Sequence, residues 1–171
     1  MDIVQLIADD HQEQRRLFGL IEEMGSGNPE GLKAVWQRLR VLLDVHALAE
    51  ERLFYPALLK LGKGADGETP EDETRDAIKD HNEIRDAAAA VDEHEPGSAE
   101  WIEAVAAANK ANSDHLAEEE RQGLTDFRRD ADRELRHRLG VDFIAFGSAH
   151  LTGRGVTPHD RDPDAYVKRN G

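Results

Sequence analysis

His46-Ala-Leu-Ala-Glu50 sets a histidine and a carboxylate four residues apart, and His115-Leu-Ala-Glu-Glu119 repeats the arrangement. Four helical residues turn through about 400°, so both side chains of each pair share one face, one turn apart. Both pairs fall where the apolar stripe of their helix should run. A histidine and a glutamate buried together are costly without a partner, and a metal ion is the partner that suits both.

Working outward, the stripe histidines are His11, His46, His81 and His115, at intervals of 35, 35 and 34 residues. The second half of the chain nearly repeats the first: His11 to His81 spans 70 residues, His46 to His115 spans 69, and Glu50 to Glu119 spans 69. The pattern is a lone histidine followed by HxxxE, twice. Each histidine falls on its own long helical segment: Asp2 to Met24, Pro29 to Leu61, Thr69 to Glu93, and a fourth opening at Ser98. Asn28-Pro29, Thr69-Pro70 and Ser98 read as helix starts. Pro56 lies inside the second segment and predicts a kink one turn past Glu50. The expected fold is all-α: an up-down-up-down four-helix bundle, with a short additional helix between Asp130 and Ala149 and an irregular tail from Thr152 to Gly171. Gly140 is a candidate break in that additional helix, and Gly123 a loosening of the fourth.

Composition narrows the chemistry. The chain has 171 residues, enough for one domain with a full core. It has no cysteine, so disulfides, thiolate zinc and iron–sulfur clusters are excluded. Nitrogen and oxygen ligands point to iron, manganese or zinc. A formal charge of −14 argues against nucleic acid and against anionic membranes as partners. Neither a signal peptide nor a run of about 18 apolar residues is seen, so a cytoplasmic protein is expected.

In such a bundle four histidines and two glutamates meet at the centre. Two buried carboxylates cannot sit close together unless protonated or paired with cations. Two metal ions resolve this, each taking two imidazoles, with Glu50 and Glu119 as bridges. Open coordination positions and a mixed nitrogen and oxygen set suit non-haem iron. A lone stripe histidine is more often a core residue than a ligand; the duplicated spacing is what favours the metal. Glu51, Glu118 and Glu120 read as solvated helix face or as supporting residues. His94, His137, His150 and His159 lie off the repeat and read as surface, capping or packing groups. Ferritin-like sites use Glu-x-x-His pairs, the reverse order, and are rejected on that ground.

Ala8-Asp9-Asp10-His11, His46 through Pro56, Asp80-His81-Asn-Glu-Ile84 and His115 through Glu119 together resemble the hemerythrin-like proteins, the HHE cation-binding domains. The resemblance covers residues 1–128, taken as the bundle domain. Residues 129–171 form the C-terminal helix and tail, and Asp160 to Val167 resembles an extension carried by some family members. The resemblance implies an oxo- or hydroxo-bridged centre of two Fe ions, with His11, His46, His81 and His115 as terminal ligands and Glu50 and Glu119 as bridges. Oxygen-carrying hemerythrins have a fifth histidine four residues from the third; here those positions are Ala77 and Arg85. The resemblance offers Tyr55, in its Tyr-Pro position, as a substitute iron ligand. An ideal helix sets Tyr55 about 140° from Glu50, and only a kink at Pro56 would bring it in. The implied function is handling of small molecules (H2O2, O2 or NO), with catalase- or peroxidase-like activity expected first. The alternative is a carrier, sensor or store for O2, NO or iron without turnover. Monomer and homodimer are both open.

Overall fold

The computed structural model describes residues 1–171. Four long helices carry the stripes: α1 (Ile3–Met24), α2 (Pro29–Ala49), α4 (Pro70–Asp92) and α5 (Ala99–Arg121). Their starts are capped as the sequence predicts. Asp2 accepts from the Val4 N–H, Asn28 from Gly31, Thr69 from Asp72 and Ser98 from Trp101, and each cap is worth about 1 kcal/mol. Short connections pair α1 with α2 and α4 with α5, and α1–α5 and α2–α4 contacts close the ring. This is the up-down-up-down bundle.

The core falls into two apolar clusters with a polar belt between them. One holds Leu17, Phe18, Leu32, Trp36, Leu39, Val91 and Trp101. The other holds Ile3, Ile7, Phe54, Tyr55, Leu58, Ile78 and Phe127. Each fully buried large side chain contributes about 1.5–3 kcal/mol, so the belt is held open from both ends by well-packed layers.

The second predicted helix is not one kinked rod. After α2, Glu50–Phe54 forms a π-helical turn, followed by α3 (Tyr55–Leu61). The Tyr55 N–H bonds the Glu50 carbonyl, five residues back. In that register Pro56 would bond the Glu51 carbonyl, but proline has no N–H to give. The Tyr166 hydroxyl donates to this carbonyl instead. A π-bulge inserts one residue into a turn, as is common at functional sites, and here it swings Tyr55 around to the Glu50 face.

Two further differences from the sequence expectations lie beyond α5. Gly123 starts a short helix, α6 (Gly123–Asp130), that periodicity did not reveal. The tail is irregular only to Asp162, whose side chain caps α8 (Pro163–Asn170). The expected additional helix is α7 (Arg133–Ala149). Gly140 does not interrupt it: a β-carbon there would lie 3.1 Å from the Ile3 nitrogen, so glycine lets α7 pass close to the start of α1. α7 packs on α1 and α2, α8 on α4, and α6 on α5. No helix is long and apolar enough to cross a membrane.

Candidate metal centre

All four stripe histidines and both glutamates lie buried in the polar belt. Their inward atoms converge. His46 Nε2 lies 3.0 Å from Glu50 Oε1, His81 Nε2 3.3 Å from Glu50 Oε2, and His11 Nε2 3.2 Å from Glu119 Oε2. His81 Nε2 and His115 Nε2 are 3.2 Å apart. Two groups of potential ligand atoms each fit within 4.8 Å: His11, His46 and Glu50, and Glu50, His81 and His115. Glu50 belongs to both, as a bridge would. Glu119 lies against His11 and belongs to neither group.

The outward nitrogens explain this orientation. His11 Nδ1 lies 2.9 Å from Glu120, His46 Nδ1 3.1 Å from Asp10, His81 Nδ1 3.1 Å from Glu51 and His115 Nδ1 3.4 Å from Asp80. A carboxylate at Nδ1 draws the proton there and leaves the Nε2 lone pair facing inward, the arrangement found behind metal-bound histidines. The set is cyclic. The aspartate before the lone histidine of one helix holds the histidine of the next. The glutamate after each HxxxE holds the histidine of the helix that follows, or, from α5, of α1. The repeat therefore extends to DH…HxxxEE, twice.

The inward atoms do not satisfy one another. His11 Nε2, His46 Nε2, both Glu50 oxygens and Glu119 Oε2 are buried without a hydrogen-bond partner. Such groups are rare and costly, and inward lone pairs on facing imidazoles repel. The residues fit a bound cation. Titration behaviour agrees in sign. Burial disfavours charge on His46, yet Glu50 and Asp10 hold its pKa well above the usual value. Burial likewise opposes charge on His81, but Glu50 and Glu51 raise it to about 9. Burial would raise Glu50; His46 and His81 hold it well below its usual range instead. The centre draws positive charge into an apolar interior.

Tyr55 donates to Glu119 Oε1 at 2.5 Å, and its ring lies 5.7 Å from that of His81. Burial, with Glu119 and Glu50 close by, pushes its phenol well above the usual value. The positions flanking His81 contribute no nitrogen: Ala77 is in the core, and Arg85 donates to Glu51. Phe143 of α7 stands edge-on to His46 at 6.1 Å. Arg161, from the tail, also donates to Glu51, and the Asn82 side chain exchanges two hydrogen bonds with the Arg161 backbone. The tail thus anchors the carboxylate behind His81. His94, His137, His150 and His159 are exposed or at the surface and remote from the belt, and Glu118 joins Glu68 and Asp76 in a separate acidic group. Asp10 and Asp80 escaped sequence reading because both look like helix surface; the aspartate directly before each lone histidine was the available signal.

An all-helical bundle with buried histidine–carboxylate clusters defines a cation-binding helical protein. Residues 2–124 match the family model described as the hemerythrin HHE cation binding domain. The match spans most of the chain, which belongs to this family. Comparison with curated proteins and with solved structures found no match.

Proposed function

We propose that the chain holds two iron ions and uses them to turn over peroxide. His11 and His46 would hold one ion, His81 and His115 the other, with Glu50 and Glu119 bridging and Tyr55 as a further oxygen donor. When bound, iron supplies Lewis acidity and electron storage. The residues around it supply the rest. Asp10, Glu51, Asp80 and Glu120 fix the imidazole tautomers, and the two apolar clusters exclude bulk water.

The observation that carries the reading is Tyr55, delivered to the centre by the π turn while no fifth histidine is present. A hard anionic oxygen favours the ferric state, which suits redox turnover better than reversible oxygen carriage. Disproportionation converts two peroxides to dioxygen and two waters and needs no outside reductant. Dioxygen and nitric oxide remain chemically accessible substrates at the same centre.

The test is to load the protein with iron and add hydrogen peroxide under argon. Sustained oxygen evolution, absent from His46→Ala, supports the reading. A reduced protein whose visible band appears under oxygen and vanishes under argon, without peroxide turnover, would make it a carrier or sensor instead.

A further inference from the structure

A cavity of about 10 Å3 lies against His46, His81 and His115, roughly the space the centre of one water-sized molecule needs. Its wall one helical turn from the histidines is set by four positions. Gln14 is three residues after His11 and Ile84 three after His81; Leu43 is three before His46 and Asn112 three before His115. Helical geometry puts all four at one level of the bundle. The repeat breaks at this level. The α2 and α4 positions are apolar, whereas the α1 and α5 positions carry amides.

Those amides have no structural employment. Gln14 is 0% exposed and Asn112 2%. Gln14 Oε1 and Nε2 and Asn112 Nδ2 are buried and find no partner in the protein. Apolar residues lie beyond them on the same stripes, Leu17 and Phe18 on α1 and Ala108 and Val105 on α5. A leucine or methionine at either position would continue the core without stranding polar atoms, so the amides cost stability where they stand.

We propose that Gln14 and Asn112 are the recognition wall for a small ligand that both donates and accepts hydrogen bonds, hydrogen peroxide being the matching substrate. Free dioxygen donates no hydrogen bond and would be served better by an apolar wall. Gln14 offers one acceptor and a donor, and Asn112 a second donor. Peroxide can use all three while its other oxygen faces the histidines. The outward side of the cavity is lined by Arg40, Asp44 and Arg85, with Arg40 and Asp44 paired, so the ligand reaches it along the α2–α4 seam. This inference rests on the peroxide reading above but is separable from it.

The test uses Gln14→Met and Asn112→Leu in the full chain, with sodium azide as the probe. Neither residue is among the proposed ligands, so iron content should match wild type. Azide affinity, read from its visible band, should weaken about 5–10-fold per variant, the loss of one hydrogen bond. The metal-free variants should melt about 2–4 °C higher than wild type, because an unpaired buried amide has been removed. Azide binding within twofold of wild type, or a lower melting temperature in both variants, would overturn the proposal; if only one variant fails to fold, the other decides. Should wild type evolve no oxygen from peroxide while the azide pattern holds, the catalytic reading falls and the pocket stands. Should wild type turn over peroxide while the variants bind azide normally, the pocket falls and the catalytic reading stands.

Discussion

Glu51→Gln is the substitution that best separates a supported centre from a merely buried one. Glu51 carries three charge-assisted contacts, from His81 Nδ1 at 3.1 Å, from Arg85 and from Arg161. Glutamine keeps one acceptor oxygen and presents an amide NH2 to groups that are all donors, so two contacts are lost. Each is worth about 1.5–3 kcal/mol. The low end applies because Arg85 and Arg161 reach partly to solvent, giving about 3 kcal/mol in all. A second route gives the same figure. Burial would raise the Glu51 carboxyl, but His81, Arg85 and Arg161 hold it at about 2 rather than 4.5, which corresponds to about 3 kcal/mol at neutral pH. Urea unfolding of the metal-free protein at pH 7 measures this directly. Chelator competition on the loaded protein should show metal bound about 10–100-fold more weakly, since His81 loses the group that orients it. Glu103→Gln, at an exposed position, is the control and should change stability by less than about 0.5 kcal/mol. A Glu51→Gln protein within that same margin, with unchanged metal affinity, would refute the reasoning.

Three further outcomes are expected. Burial, with Asp126 and Glu68 nearby, raises Glu73 to about 7. The native state therefore binds more protons than the unfolded chain between about pH 4.5 and 7, and stability falls as pH rises through that window. Discounted for solvent screening, the loss is about 1–2 kcal/mol. Glu73→Gln should abolish it and raise the melting temperature at pH 8 but not at pH 4; equal pH profiles would contradict this. Tyr166→Phe leaves the Glu51 carbonyl without its donor and should cost about 1–2 kcal/mol in denaturant unfolding, while a change below about 0.3 kcal/mol would show that the π turn does not need the tail. Tyr55→Phe should remove a broad visible charge-transfer band from the ferric protein, and an unchanged spectrum would leave Tyr55 as a hydrogen-bond donor to Glu119 alone.

Much of the bundle was legible because its signals are periodic. The four histidines announce themselves by interrupting apolar stripes at near-equal spacing, and Asn28, Thr69 and Ser98 mark helix starts by the chemistry of capping. What stayed hidden breaks period or depends on distant partners. The π turn at Glu50–Phe54 cannot be seen in a 3.6-residue pattern, although Pro56 marks its neighbourhood. Tyr55 reaches the centre only through that turn. Asn112 sat visibly on its stripe, but Gln14 acquires meaning only when α5 is placed beside α1. α6 was masked by Gly123, read as an ending rather than a start. α8 was masked by tail composition, and its role depends on Tyr166 and Arg161 meeting Glu51 across 115 and 110 residues of sequence.

The central claim is that the duplicated histidine–glutamate pattern holds two metal ions. Elemental analysis of iron-reconstituted protein tests it most directly, alongside His46→Ala and His115→Ala. The account predicts near two irons per chain in wild type and the loss of one or more in each variant. Full iron occupancy in both variants, or no bound metal in wild type, would contradict it.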